Sequence, residues 1–383
     1  MSFIYFDNSA TTYPKPPEVL DAMMDFGKNI GANPGRGSHQ RALKASQIIL
    51  EAREAINTLI NGVSADRVIF TANATESLNL ALKGLLKPGD HVIASPFEHN
   101  AAQRPLNRLR REGVEVSYLS ASLSGEIDPG EITKLLKPNT RAVVLTHASN
   151  VLGCITPVAE VGKICRDAGI ALIVDAAQSL GTIPVDVQSF NISLLAFTGH
   201  KGLFGPQGTG GLYIAPEWEK VVRTLKEGGT GGYSEEELPP EILPDKYESG
   251  TLNTIGIAGL KAGVEFVQKI GVEKIFQHEK KLTQKLYQGL KELGAEILGP
   301  DLENDRAPLV SFNFPGADAA TVSFMLDKLY DIATRPGLHC APKAHEVAGT
   351  LDRGAVRASF SYFNTEEEVE KFLEAIKEIK DEL

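Results

Sequence analysis

Short apolar runs alternate with longer stretches in which apolar residues recur at helical spacing, between about residues 66 and 215. RVIF (67–70) precedes TESLNLALKGLL (75–86), HVIASP (91–96) precedes AAQRPLNRLRREG (101–113), and RAVVLTHA (141–148) precedes PVAEVGKICRDAG (157–169), which leads into ALIVDAA (171–177). A strand covered on both faces reads as an unbroken apolar run, whereas a helix lying on a sheet is apolar along one side only. The alternation predicts a large α/β domain with a mainly parallel sheet and crossover helices on both faces. Such sheets bind ligands at the carboxyl ends of their strands. Four polar residues stand just past these runs and so at one predicted edge: Thr75, His99, Asn150 and Asp175.

The flanking pattern differs. Residues 39–61 carry apolar positions at helical spacing with charges between them, the mark of an amphipathic helix, and residues 256–270 and 272–294 predict two more helices. After them AEILG, LVSFNF, AATVSFMLDKLY, AVRASFS and a closing helix from residue 365 mix strands and helices, which predicts a smaller α+β domain. The expected division is a large domain over 14–260, with 1–13 and 261–383 forming the small one. The acidic, proline-bearing stretch 231–250 reads as a surface loop, and no internal repeat is present.

With 383 residues, 42% hydrophobic and 23% charged, the chain has ample core material for two domains. A net charge of −10 disfavours nucleic acid and anionic membranes as partners. No apolar run approaches the ~20 residues that span a bilayer, and the N-terminal residues lack the pattern of a secretory leader, so a cytoplasmic location is expected. The three cysteines, Cys154, Cys165 and Cys340, form no CxxC pair and are read as reduced thiols, with no metal site expected.

Against this background Lys201 stands out. It follows the strand-like LLAFTG in a glycine-dense turn, downstream of the strand that ends at Asp175. A lysine so placed suits an aldehyde cofactor, and a carboxylate facing a pyridine ring keeps the ring nitrogen protonated, which together point to pyridoxal 5'-phosphate. Lys201 would anchor the cofactor and shuttle the substrate Cα proton. The plainer readings are a solvated surface lysine and, for Asp175, a helix cap. Gln178 is near enough to Asp175 to reach the cofactor's phenolic oxygen. His99 could stack on the ring, although a histidine after a strand is more often a structural hydrogen-bonder. Small residues running into a helix start at Ala74 and Thr75 offer a phosphate cradle, helped by Thr198 and His200, while Thr75 as a simple N-cap is the competing reading. GPQGTGG (205–211) lacks the strand, GxGxxG, helix order of a dinucleotide loop. Cys340 lies on a Pro/Gly loop beside His339, where a thiol is exposed and adjustable and positive charge favours the nucleophilic form. It stands between nucleophile and buried small hydrophobe, the reading that suits Cys154 and Cys165. Arg357, on a strand-like run, offers a fork for a substrate carboxylate or else a surface ion pair.

Taken together, YFDNSATT, RGSH, ATESLNLAL, EHN, SNVLG, VDAAQ, GHKGLFGPQGTGGLYI, ESGTLNT, RPGLHCAP and VRASFSYFNT occur in one order along nearly the whole chain. This set resembles the cysteine desulfurases of the class V aminotransferase family, fold type I pyridoxal phosphate enzymes, and RPGLHCAP resembles the loop of their SufS-like branch. The resemblance implies Lys201, His99, Asp175, Gln178, Ala74, Thr75, Thr198, His200 and Asn150 around the cofactor, with Thr251 reaching its phosphate from the other subunit of a homodimer. Arg357, Asn150 and His39 would bind the substrate, L-cysteine or L-selenocysteine. Cys340 would carry the persulfide and pass sulfur to an acceptor protein. One departure is clear: NATE at 73–76 stands where GTTE is common, so Ala74 offers only its backbone donor. A selenocysteine lyase would use the same cofactor set, and a non-catalytic cofactor-binding regulator would need a partner module that the sequence does not display.

Overall fold

The computed structural model describes residues 3–35, 37–232 and 235–382; Arg36 of the RGSH string and Tyr233 and Ser234 of the acidic loop lie outside the described residues. The chain opens with a two-residue strand, β1 (Ile4–Tyr5), and the helices α1 (Pro17–Asp25) and α2 (Gln40–Leu59). Seven strands then form the main sheet: β2 (Val68–Thr71), β3 (His91–Ala94), β4 (Glu115–Tyr118), β5 (Thr140–Thr146), β6 (Ala171–Asp175), β7 (Leu194–Thr198) and β8 (Gly210–Ile214). Between them lie α3 (Ala74–Leu85), α4 (Asn100–Arg111), α5 (Gly130–Leu135) and α6 (Val158–Ala168). Strand order is β2-β8-β7-β6-β5-β3-β4, parallel throughout except for β8, which runs antiparallel to both neighbours. The expected mainly parallel α/β sheet is thus present. Because β2 and β7 both oppose β8, they share a direction, and the carboxyl ends of β2, β3, β5, β6 and β7 meet at one edge.

Full burial of β6, β7 and β8 explains their unbroken apolar runs. Glycine serves the edge itself at Gly210, where a Cβ would stand 2.7 Å from both Asn73 Cα and Phe197 O. Without a side chain there, β8 lets the start of α3 settle against the sheet.

Past the main sheet, α7 (Thr254–Ile270) packs on α1 and α2, and its Leu260 and Val264 belong to the large core. The expected division at residue 260 therefore falls inside a helix whose apolar face is committed to the large sheet side. Next come α8 (Val272–Glu292), β9 (Glu296–Ile297), β10 (Leu309–Asn313), α9 (Ala319–Tyr330), β11 (Ile332–Ala333), β12 (Arg335–Gly337), α10 (Pro342–Val347), β13 (Ala355–Ser359) and α11 (Glu366–Glu382). A four-stranded antiparallel sheet, β12-β13-β10-β9, anchors a second core in which Val310, Phe312 and Val356 meet Leu286, Leu326, Phe372 and Ile376. Ile4 and Phe6 join this core, since β1 pairs in parallel with β11. The N-terminal segment is thereby carried over to the second sheet and leaves Asp7 beside Ser359.

Candidate active site

A cavity of roughly 220 Å³ opens at the carboxyl edge of the main sheet, where the second sheet closes over it. Each wall has a local cause. The turn after β7 places Thr198, His200 and Lys201 on one side, β6 ends at Asp175, and the turn after it brings Ala177 and Gln178. Ala74 and Thr75 open α3, whose N-cap is Asn73: its side-chain oxygen accepts from Glu76 N at 3.0 Å. The competing reading of Thr75 as the N-cap does not hold, since Asn73 caps two residues earlier, and the first-turn amides near Ala74 and Thr75 are left without intrahelical partners, as in any helix N-terminus. They line the cavity and make it suited to an anion.

Asp175 is buried, and Lys201, on the cavity wall, is half-buried. Burial lowers the lysine amine to about 8, against a pull upward from Asp175. The carboxyl of Asp175 is raised, chiefly by burial, while the Ala177 amide, donating to it at 2.9 Å, and Lys201 hold it down. No helix follows Asp175, so its carboxylate closes a turn and faces the cavity rather than capping a helix. The Lys201 amine makes no hydrogen bond or ion pair among the described residues. Half-buried on the cavity wall and partly desolvated, Lys201 is not a solvated surface lysine. Gln178 donates to Ser9 O at 3.0 Å from an amide that still has a free N–H.

His99 caps α4, its Nδ1 accepting from Ala101 N at 3.0 Å, so the ring proton sits on Nε2. Burial first, then Lys201 and the arginines, lower it to about 4 and keep it neutral. His200 is likewise lowered to about 4 by burial, and its Nδ1 is buried with no partner. Asn150 is buried in the wall, with its side-chain amide donating to His339 O at 2.7 Å and its carbonyl accepting from Arg357 at 3.0 Å. Arg357 is no surface residue. It is 1% exposed, bonded to Asp7 at 3.0 Å, and its Nε is buried without a partner.

Two expected residues stand elsewhere within the chain. His39 is exposed and caps α2 through Nδ1, 3.3 Å from Ala42 N, outside the cavity. Thr251 is exposed on a separate groove with Asn33, Pro34 and Gly250. Cys340 is exposed and lies past the cavity wall formed by Arg335 and His339, its sulfur 3.8 Å from the Arg335 guanidinium. Cys154 and Cys165 are buried, and burial pushes both thiols up to about 12.

Four residues at the site were not among the candidates offered by the sequence, His339 having been noted only as the neighbour of Cys340. Asp7 pairs with Arg357, and Arg335 lies directly across the strand pair β12–β13 from Arg357. Like charges opposite each other are unfavourable, so this pair asks for anions beyond Asp7. Glu98 is fully buried; it accepts from Ser95 Oγ and Thr146 N, both at 2.7 Å, and has one oxygen unpartnered. Burial, and less so Asp175, push it up to about 8. His339 lines the wall beside the thiol. All four occur within the strings YFDNSATT, EHN and RPGLHCAP, which were the available signal.

Comparisons with known proteins agree with this architecture. The profile of the class-V aminotransferase family matches residues 4–372. A probable cysteine desulfurase of Methanothermobacter thermautotrophicus is 38% identical over 381 residues, covering 98% of this chain and 94% of the relative. Another, of Pyrococcus abyssi, is 38% identical with the same coverage of both chains. The apo structure of a cysteine desulfurase from Thermococcus onnurineus NA1 superposes with a TM-score of 0.94 at 36% identity, over 100% of this chain and 95% of that one. With its mainly parallel sheet, a lysine and a buried aspartate on the cavity at the strand ends and a profile match over nearly its whole length, this chain belongs to the class-V aminotransferase family.

Proposed function

We propose that the protein is a pyridoxal phosphate-dependent cysteine desulfurase, converting L-cysteine to L-alanine and placing the sulfur on Cys340 for transfer to an acceptor protein. The observation that carries this reading is the placement of Lys201 on one cavity with buried Asp175 at the strand edge, with the turn bearing Cys340 bonded to the same wall through Asn150.

The residues fit the cofactor. A pyridinium N–H would supply the cation that buried Asp175 lacks, the α3 amides with Thr198 and His200 would take the phosphate, and Lys201 is an amine that burial holds near neutrality. Pyridoxal phosphate, when bound, supplies the electron sink that lets bonds at an amino-acid Cα side break heterolytically. Lys201 would hold it and move the Cα proton. Asp175 would keep the ring nitrogen protonated, Gln178 would orient the phenolic oxygen, and neutral His99 would offer its Nε2 proton to the bound group. Arg357, with Arg335 opposite, receives the substrate carboxylate, the anion that this arginine pair requires. Cys340 thiolate attacks the substrate sulfur, forming an S–S bond. The C–S electron pair stays on carbon, which takes up a proton and leaves as alanine.

Thr251 and His39, both on the outer surface of the chain, serve the site of a second copy. Exposed Leu20, Met24, Leu43 and Ile255, on α7 and on the α1 and α2 that each pack against it, support a homodimer that buries them. The test is direct. Purified protein should absorb visible light through its bound cofactor and form alanine and sulfide from L-cysteine with a reductant; a colourless protein, or Lys201→Ala with unchanged spectrum and turnover, would refute the reading.

A further inference from the structure

The cysteine turn contains two consecutive residues in a region of backbone space that favours glycine. His339 has φ +50° and Cys340 φ +57°. Non-glycine residues there are strained and persist only where the surroundings hold them. The backbone on either side is held by Asn150, which donates to His339 O, and by Asn100 N, which donates to Cys340 O at 2.8 Å. The His339 side chain is held by a chain of buried polar contacts. Its Nε2 lies 2.9 Å from Arg335 O, its Nδ1 lies 3.4 Å from His345 Nε2, and His345 Nδ1 lies 2.8 Å from Thr350 Oγ1. Both rings and the threonine are buried, and the rings are nearly parallel, 17° apart.

The direction of every proton in this chain follows from one group. A carbonyl only accepts, so His339 Nε2 donates to Arg335 O. Burial lowers His339 to about 3 and His345 to about 4, so both rings are neutral and each carries one N–H. His339 Nδ1 is then an acceptor, His345 Nε2 its donor, and Thr350 Oγ1 the donor to His345 Nδ1.

We infer that His345 is a positioning residue for sulfur capture: set by Thr350, it fixes the tautomer and seat of His339 and so holds the left-handed turn that presents Cys340 beside Arg335 and the cavity. Asn150 joins this device to the substrate end, because the same residue bonds both Arg357 and His339. His345 lies outside the cavity wall, and its loss displaces the thiol without removing a group that binds substrate. The inference rests on the reading of Cys340 as the sulfur acceptor for its kinetic consequence, but not for its structural one.

Two variants of the full-length holoenzyme separate polarity from volume. His345→Gln keeps a donor toward His339 and an acceptor toward Thr350, whereas His345→Leu keeps neither. In single turnovers with L-cysteine, persulfide formation on Cys340, followed by mass spectrometry, is expected to stay within about threefold of the parent in His345→Gln and to fall about tenfold or more in His345→Leu, as for a nucleophile displaced by a fraction of an ångström. Half-saturation by L-cysteine, read from the cofactor spectrum, should not move. Equal loss in both variants, no loss in either, or a half-saturation that shifts in step with the rate would overturn the inference. If His345→Leu does not fold, Thr350→Val decides, with a smaller loss in the same direction expected and an unchanged rate counting against the inference. Alkylation of Cys340 by iodoacetamide without substrate reports the turn alone. There His345→Leu should depart from the parent and His345→Gln should match it. Should Cys340→Ala still desulfurate L-cysteine at the parent rate, the functional reading fails, while the alkylation result still judges the positioning role.

Discussion

The two side chains proposed to react sit in different surroundings. Lys201 is half-buried in a turn after a fully buried strand, lining the same cavity as buried Asp175. Cys340 is exposed on a turn of the second sheet whose backbone is held by hydrogen bonds to its neighbours, while its sulfur lies 3.8 Å from the Arg335 guanidinium. The difference follows from what each group does. An amine that holds a cofactor and moves a proton gains from desolvation, which lowers it to about 8 and leaves it partly unprotonated at neutral pH. A thiol that must pass its cargo to another protein has to be reachable. Burial tunes the first group, and presentation serves the second.

The largest expected effect breaks the buried half. Lys201→Ala should abolish visible absorption by the bound cofactor and reduce alanine formation about a thousandfold or more, because both the anchor and the proton carrier are lost. Cys340→Ala strikes the exposed half: alanine formation from L-cysteine should fall about a hundredfold or more, while the cofactor spectrum and thermal midpoint remain those of the parent. If both substitutions altered the spectrum, the two regions would not be separable as described.

Arg357 joins the halves, since it lies in β13 yet bonds Asp7 and Asn150. Arg357→Ala should weaken L-cysteine binding by about 2–5 kcal/mol, seen as a raised half-saturation. It should also lower stability in urea, because it leaves Asp7 without its cation. Arg357→Lys keeps the charge without the fork and should fall between.

The smallest effect sharpens the contrast through pH. Glu98 is raised from the usual 4.5 to about 8, so the folded state keeps a proton that the unfolded chain has lost. Its contribution to stability is fully present below about 4.5 and is lost as pH rises through about 8. Glu98→Gln cannot titrate. Urea midpoints of variant and parent should therefore diverge in favour of the variant between these limits, by at most about 1.4 kcal/mol per pH unit. Parallel profiles would show that Glu98 is ionised in the folded protein.

Strand and helix alternation over 66–215 was readable because burial on one or both faces imposes a local period. Lys201, Asp175, His99 and Thr75 could be placed at the sheet edge for the same reason, as each lies at or just past a strand end. Local reading also had limits. It did not name Asn73 as the cap of α3, and the division it expected at residue 260 falls inside α7. Both are decided by which neighbour a side chain meets after packing.

Residue order alone thus determined the mainly parallel sheet, its carboxyl edge and the placement of Lys201 and Asp175 there, since these depend on periods of a few residues. Tertiary structure decided the rest. Asp7 meets Arg357 across 350 positions only because β1 pairs with β11, Arg335 faces Arg357 only through strand register, and the His339–His345–Thr350 chain exists only when α10 folds back beneath the turn. Such contacts have no period to read, because their partners are chosen by how two sheets close on one cavity.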